Sequence, residues 1–481
     1  MQNNYLLTYL LFVPLVGGLL LLLINREKEH LIRWFGLGVS VIVFIISLFL
    51  YAGFDISNSD FQFVYKYLWI PNLNISYHVG IDGISLLLIL LTTFITPLTL
   101  LSSWKAINKK VKEFTFFMLM LEVGILGVFV SLDLFLFYVF WEVMLIPMYF
   151  IIGIWGGERR IYASGLLGHF STDLVELYNI GPMVPRTIQI YMFLAFAFSF
   201  AIKVPLFPLH TWLPDAHVEA PTAGSVILAA VLLKMGTYGL IRFCLPLFPQ
   251  AALYFAPAIS VLAVIGIIYG ALVAMVQKDM KKLVAYSSVA HLGFVVLGIF
   301  AMTNVSMQGA VIQMVNHGLS TGALFLLVGV IYERTHTRTI AEYGGIAKIV
   351  PIYSVVLMIA SLSSIGLPGL NGFVGEFLIL LGSFKSPVLN SWWYTVFAAS
   401  GVIFAAVYLL WMYQRVVFGE VKNPKLNSVK DMNAREIFVM VPIFIFIVWI
   451  GIYPSTFLKV SEKSVNKVIE QVFTPQNASL K

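Results

Sequence analysis

Thirteen apolar stretches set the terms on which this chain can fold. A helix needs about 20 apolar residues to cross the hydrocarbon core of a bilayer. By that measure, spans fall near 5–24, 31–53, 80–104, 113–131, 133–154, 188–210, 223–246, 255–275, 281–301 and 308–332, then a long Gly/Pro-broken stretch 350–384, then 393–418 and 436–458. Backbone amides and carbonyls in lipid must be satisfied within the segment, which makes each of these runs a helix. The fold class is therefore an all-α polytopic membrane protein. Only 11% of the residues are charged, against about 25% in soluble domains. The first run has no basic residue ahead of it and is long enough to span, which predicts a retained helix and not a cleaved signal. The polar tail after Phe457 is expected on the surface.

The basic residues alternate between loops. Arg26, Lys28 and Arg33 follow the first span; Lys105, Lys109, Lys110 and Lys112 the third; Arg159 and Arg160 the fifth. Further clusters sit at Lys278, Lys281 and Lys282, at Arg334, Arg338 and Lys348, and between Arg415 and Arg435, whereas the other loops are nearly bare apart from Lys66 and Lys385. The positive-inside rule places these clusters in the cytoplasm and the N-terminus outside. It also accounts for the net charge of +7 without nucleic acid as a partner. One interval breaks the alternation. Arg159/Arg160 and Lys278/Lys281/Lys282 require an even number of crossings between them, and three are found. The segment 161–185 is the only place for a fourth, yet its apolar run, Ile161 to Phe170, is too short to span. Either it inserts partially or a helix has been lost there.

Internal symmetry points to the same gap. Segment 255–418 holds five spans with the fourth broken at Gly366, Pro368, Gly369 and Gly372. Segment 113–246 matches it once a helix is restored at about 161–185, its own break lying at Pro205 and Pro208. The expected organisation is an N-terminal three-helix segment 1–112, a first repeat 113–246, a second repeat 247–418, and a loop, last helix and polar tail over 419–481. In this register Glu142 corresponds to His291 and Lys203 to Glu376.

Five strongly polar groups lie in apolar surroundings: Glu122, Glu142, Lys203, Lys234 and Glu376, joined by His291 and His317. A charge at mid-membrane costs about 2.5–3.5 kcal/mol on insertion scales. A lysine that can gain or lose a carboxylate partner can change protonation, and histidine titrates near neutrality. Such a set suits proton transfer and is poorly suited to hydride or electron transfer. Two broken helices, each beside an ionisable group, mark an ion site near the midplane. Structural roles compete with this reading. Glu122 could serve only a helix–helix hydrogen bond, Glu142, Lys203 and Lys234 a static ion pair, and the two histidines interhelical bonds. His210, Asp215, His217 and Glu219 fall in a loop where tethering competes with proton uptake. The single cysteine, Cys244, excludes an internal disulfide and any cysteine-ligated cluster, and the histidines form no HExxH pair. No cofactor or metal site is expected in this chain.

The stretches FYVFWEVMLIPMYFIIGIWG (137–156), KVPLFPLHTWLPDAHVEAPTAGSVILAAVLLKMGTYGLIRF (203–243), DMKKLVAYSSVAHLGF (279–294) and GLPGLNGFVGEF (366–377) closely resemble the M-subunit (chain 4) family. These are the antiporter-like subunits of the proton-translocating NADH:quinone oxidoreductase, respiratory complex I. The resemblance covers nearly the whole chain. It implies a fourteen-helix fold with two inverted five-helix repeats, each with a broken helix. It implies a switching pair Glu142–Lys203, a central relay lysine Lys234, a continuation through His291 and His317, and a terminal carboxylate Glu376. Glu376, where the L- and N-type subunits look to carry lysine, separates this family from those paralogues and from the sodium/proton antiporter subunits. NADH, FMN, iron–sulfur clusters and quinone are then expected in partner subunits, and the L- and N-type subunits as neighbours. The location implied is a bacterial inner membrane, with an organellar inner membrane as the alternative. The chain departs from the family after ERRIYA (158–163), where a full span is expected and is missing. That loss predicts impaired pumping or failed assembly.

Overall fold

The computed structural model describes residues 5–71, 75–155, 173–180, 182, 184–421 and 423–473. The first pair of helices, α1 (Leu6–Leu21) and α2 (Glu29–Ala52), leads to a hairpin of β1 (Gln62–Ile70) and β2 (Ile75–Ile81). Next come α3 (Gly83–Ser102), α4 (Val111–Val130), α5 (Leu134–Val143), α6 (Leu145–Trp155) and the short α7 (Leu174–Ile180). The helix α8 (Arg186–Lys203) breaks and resumes as α9 (Trp212–Glu219), and α10 (Thr222–Leu247) follows. Then come α11 (Pro249–Met275), α12 (Met280–Phe300) and α13 (Asn304–Thr335). A second broken pair, α14 (Pro351–Ile365) and α15 (Asn371–Phe384), precedes α16 (Trp393–Val417), α17 (Ala434–Ile452) and α18 (Ser455–Phe473). Among the described residues, nine helices are long and apolar enough to cross a membrane, and the expected spans 5–24, 133–154 and 350–384 are shorter apolar helices; the expected span 188–210 meets neither description, because α8 ends at Lys203 where the helix breaks.

Polar caps fix where the helices start. Asp82 accepts from the backbone of Ile84 and Ser85, Asp133 from Leu136, and Asp279 from Lys281 and Lys282. Thr303 and Asn433 form reciprocal capping boxes with Ser306 and Glu436. These side chains satisfy amides that the first turn leaves without intrahelical partners. The inner face is marked by Lys112, whose ammonium donates to the carbonyls of Leu22 and Ile24 at the end of α1. The opposite end of α1 meets the hairpin, Thr8 bonding Tyr77 and Tyr5 lying on Tyr65, on the face that the charge pattern assigns to the outside. The most enclosed spans are α10, α12 and α13; α2, α16 and α17 keep broad apolar faces exposed, as lipid-facing helices do.

Two features lie outside the plain helical expectation. The hairpin is antiparallel, and its outer surface carries Tyr67, Leu68 and Trp69. Residues after Phe457 form most of α18, which buries Val460, Val465 and Val468 and ties its Ser464 hydroxyl to the amide of Gly83; the tail thus lies along the outer face as a helix. Most of the segment 161–185, where the sequence places a missing crossing, lies outside the described residues. Its described flanks stand on opposite faces. Ile151 on α6 packs against Gly224 at the inner end of α10, whereas Asp173 takes hydrogen bonds from Lys66 and His78 of the outer hairpin. Burial alone would raise the Asp173 carboxyl, but the bonds from His78 and Lys66 outweigh it and hold it well below the usual carboxylate range.

Candidate functional site

Helix α10 carries Lys234 between two wide turns, Leu228–Leu232 and Leu240–Cys244. Turns of this i→i+5 kind free carbonyls from the regular ladder and recur at functional sites. The carbonyl of Ala229 accepts one hydrogen bond from the Lys234 ammonium, and Nδ1 of His317 on α13 lies 2.6 Å from the same nitrogen. The rings of His317 and His291 meet edge to face, 5.7 Å between centroids. Nδ1 of His291 on α12 lies 2.8 Å from Oε1 of Glu376 on α15. Lys234, His317, His291 and Glu376 therefore form one buried line, none of the four more than 3% exposed.

The second break shapes the far end of that line. Gly366 ends α14 at φ +83, a left-handed conformation that glycine adopts without the Cβ penalty. A Cβ there would stand 3.1 Å from Oε2 of Glu376. Across the break, Asn371 donates to the Asn316 carbonyl and accepts from the Ser363 hydroxyl, while Asn316 donates to the Asn371 carbonyl. Gln313 donates to Oε1 of Glu376 at 3.1 Å, and Ser364 lies 3.2 Å from Nε2 of His291. Both nitrogens of His291 are thus engaged, which orients the ring toward Glu376. The amides and serines were not singled out from sequence, although Asn316 directly precedes His317 and Asn371 lies within GLPGLNG.

Lys203 closes α8 just before its break. Its ammonium sits 5.5 Å from the ring centre of Trp141, a cation–π position, and the charge of the adjacent Glu142 acts on it. Glu142 in turn is hydrogen-bonded by Tyr138 one helical turn earlier. The break meets α10 at Gly236, where a Cβ would lie 2.7 Å from Val204 Cγ2 and 2.9 Å from the Phe200 carbonyl oxygen. Only a glycine lets the end of α8 approach the turn after Lys234 this closely. The structure thus puts Lys203 by Trp141 and within the field of Glu142, and joins Lys234, His317, His291 and Glu376 into one line.

Glu122 and His210 stand apart from it. Glu122 is buried on α4 beside Thr96 of α3. His210 lies in the first break between Phe207 and Tyr269, its ring stacked on the former and edge-on to the latter. His217, read from sequence as part of a loop, is wholly buried on α9 and stacks on Phe325 at 4.4 Å. A buried ion pair escaped the sequence reading: Arg242 Nη2 donates to Asp82 Oδ1 at 2.7 Å, with Ser85 and Tyr238 completing the cluster. Arg242 lies inside the apolar run 223–246 and was not singled out there.

The chemistry available to this arrangement is proton transfer. Lysine, imidazole and carboxylate each take and release a proton; Lys234–His317 and His291–Glu376 are within hydrogen-bond distance, and the step between the two histidines is a ring contact. Among the described residues, no group of three or more His, Cys, Asp or Glu is placed to hold a metal ion. A multi-pass bundle with two broken helices and a buried Lys–His–His–Glu line defines an antiporter-like membrane subunit.

Sequence relatives specify which one. The family model described as "NADH:quinone oxidoreductase/Mrp antiporter, TM" matches residues 131–177 and 165–406, and "NADH-ubiquinone oxidoreductase chain 4, amino terminus" matches 9–130. The chain is 45% identical to NADH-quinone oxidoreductase subunit M of Rhodobacter capsulatus, over 98% of this chain and 97% of that protein. It is 43% identical to NADH-ubiquinone oxidoreductase chain 4 of Arabidopsis thaliana, over 96% and 97%. A chain in the structure of respiratory complex I from Thermus thermophilus with bound NADH superposes with a TM-score of 0.84 at 30% identity, covering 97% of this chain and 100% of that one. The Mrp complex of Dietzia shares the fold at 17% identity, with a TM-score of 0.80. The chain belongs to the NADH-quinone oxidoreductase subunit M (NADH-ubiquinone oxidoreductase chain 4) family and is a multi-pass membrane protein. The family match falls into two pieces that overlap at 165–177, within the segment expected to lack a helix. The alignment to the Rhodobacter protein runs over 505 positions, more than the 481 residues of this chain, so that relative carries residues with no counterpart here.

Proposed function

We propose that this chain is a proton-translocating membrane-arm subunit of an NADH:quinone oxidoreductase, and that Lys234, His317, His291 and Glu376 are its relay. The buried line from Lys234 to Glu376, hydrogen-bonded at each end and joined by the His317–His291 ring contact, carries the reading. Lys203 beside Glu142 is the control point: a carboxylate that holds Lys203 and then releases it changes the charge facing Lys234, and with it the ease of protonating that lysine. Members of the family named as oxidoreductase subunits supply the rest by analogy. NADH, FMN, iron–sulfur clusters and quinone belong to partner subunits, this chain holds no redox centre, and L- and N-type subunits are its neighbours. Glu122 and His210 are accessory to the relay. The first repeat, 113–246, contributes the control point, and the second, 247–418, the far half of the line.

Replacing Lys234 by Ala in the assembled complex tests the reading. Electron transfer from NADH to quinone should continue while fewer protons move per NADH; an unchanged ratio would leave the chain a scaffold.

A second reading has a specific observation behind it. The family match splits at 165–177, one helix short of the expected first repeat and close to the Glu142–Lys203 pair. In that case the chain assembles but does not pump. Inserting a family-length helix after Arg160 should then raise proton yield, whereas an unaltered yield would remove this reading.

A further inference from the structure

At the inner face, a cavity of about 1410 Å³ opens between the ends of α3, α13 and α17 and the start of α10. Six Lys or Arg residues line it against three Asp or Glu, and two of the acids already hold strong partners. Glu436 takes Arg334 at 2.7 Å and the Asn433 amide at 3.0 Å. Asp431 takes the backbone amides of Ile352 and Tyr353 at the start of α14. The third, Glu333, lies within the fields of Lys105, Arg334 and Arg435. The cations are left with capacity to spare. The ammonium groups of Lys110 and Lys430 make no hydrogen bond or ion pair among the described residues. Arg435 pairs loosely with Glu436 through Nη2 at 3.8 Å, but its buried Nη1 has no acceptor among the described residues, and a buried guanidinium N–H is costly to leave unmade.

We infer that this cavity binds the phosphate headgroup of an anionic phospholipid from the inner leaflet. Charge alone would admit any phosphate; the position of α17 favours a lipid. Val439 and Met440 on α17 line the cavity, while Phe438, Val441 and Ile445 on the same helix are 64%, 46% and 56% exposed on its membrane-facing side. A headgroup held by Lys105, Lys110, Lys430 and Arg435 would lay its acyl chains along that face. The site lies at the cytoplasmic end of the bundle, where anionic headgroups and basic pockets between helices meet. It is separate from the Lys234–Glu376 line and does not depend on the proton-path reading.

The test is native mass spectrometry of the delipidated, detergent-solubilised complex after adding phosphatidylglycerol, phosphatidylcholine or inorganic phosphate. The parent complex should retain one more phosphatidylglycerol than a K105Q/K110Q/K430Q variant, and no more phosphatidylcholine. Retention should weaken about fivefold for each lysine neutralised. The three lysines are exposed, so folding is not at issue; R435Q, altering the buried donor, should show the same loss separately. Equal phosphatidylglycerol retention in parent and variants overturns the site. Displacement of phosphatidylglycerol by millimolar inorganic phosphate makes it a free-anion site and overturns the lipid assignment.

Discussion

Glu376→Gln separates the proton path from the packing around it. The amide has the volume of the carboxylate, and its oxygen can still accept from His291 and Gln313, now at 2.8 and 3.1 Å from Oε1. What is lost in stability is the difference between a charge-assisted and a neutral hydrogen bond, about 1 kcal/mol, plus about 1–3 kcal/mol for an amide N–H at the buried Oε2 position, which has no partner among the described residues. That is too little to unfold a bundle of this size. What is lost in function is larger, because an amide cannot take the proton that His291 would deliver. A positioned acid or base contributes about 10²–10⁴-fold to a proton-transfer step, and the relay through this chain should slow by that order. The assay is proton uptake per NADH oxidised in liposomes holding the whole complex, with assembly checked by native gel. Glu376→Asp should fall between parent and amide. Its carboxylate withdraws by roughly one C–C bond, about 1.5 Å, beyond hydrogen-bond reach of His291. Pumping at the parental ratio in Glu376→Gln would refute the reasoning.

Further outcomes follow from particular contacts. Gly236→Ala places a methyl 2.7 Å from Val204 and 2.9 Å from the Phe200 carbonyl; thermal unfolding should report a loss of about 1–3 kcal/mol, with the Lys203 end displaced from Lys234. Arg242→Leu strands the buried Asp82 carboxylate at a cost of about 3–5 kcal/mol, while Arg242→Leu with Asp82→Asn should recover most of it, since asparagine can still cap α3; both are read by thermal melting. The Asp173 carboxyl, held low by His78 and Lys66, contributes stability at all pH values above the ordinary carboxyl range. That contribution is lost only as pH falls below about 4 and on toward the depressed native value. Asp173→Asn should therefore melt earlier than the parent at pH 7, and the two curves should converge in strong acid.

The spans were legible because each is a long departure from soluble composition, and the relay residues because each is a charge or imidazole where lipid penalises one. Lys234, His291, His317 and Glu376 announced themselves individually. That they form one line was implied only by the family resemblance and not by pattern or spacing, since it depends on how α10, α12, α13 and α15 cross. Their supports were harder to see: Gln313, Asn316, Ser364 and Asn371 are ordinary polar residues until α13 faces the second break. The hairpin was hidden by the search for twenty-residue runs, though the aromatic and β-branched QFVYKYLWI stretch carries a strand signal. The tail from Phe457 looked merely polar because α18 is amphipathic, its buried valines spaced among charges. The gap near 161–185 was visible as charge parity and as a mismatch between the two repeats, and the family match divides at the same place.

The central claim is that Lys234 and Glu376 belong to one relay. Proton yield per NADH in Lys234→Ala, Glu376→Gln and the double variant tests it most directly. Residues in series fail together, so the double variant should pump as poorly as the worse single variant and no worse. Losses that add in the double variant would place the two residues on separate paths and contradict the account.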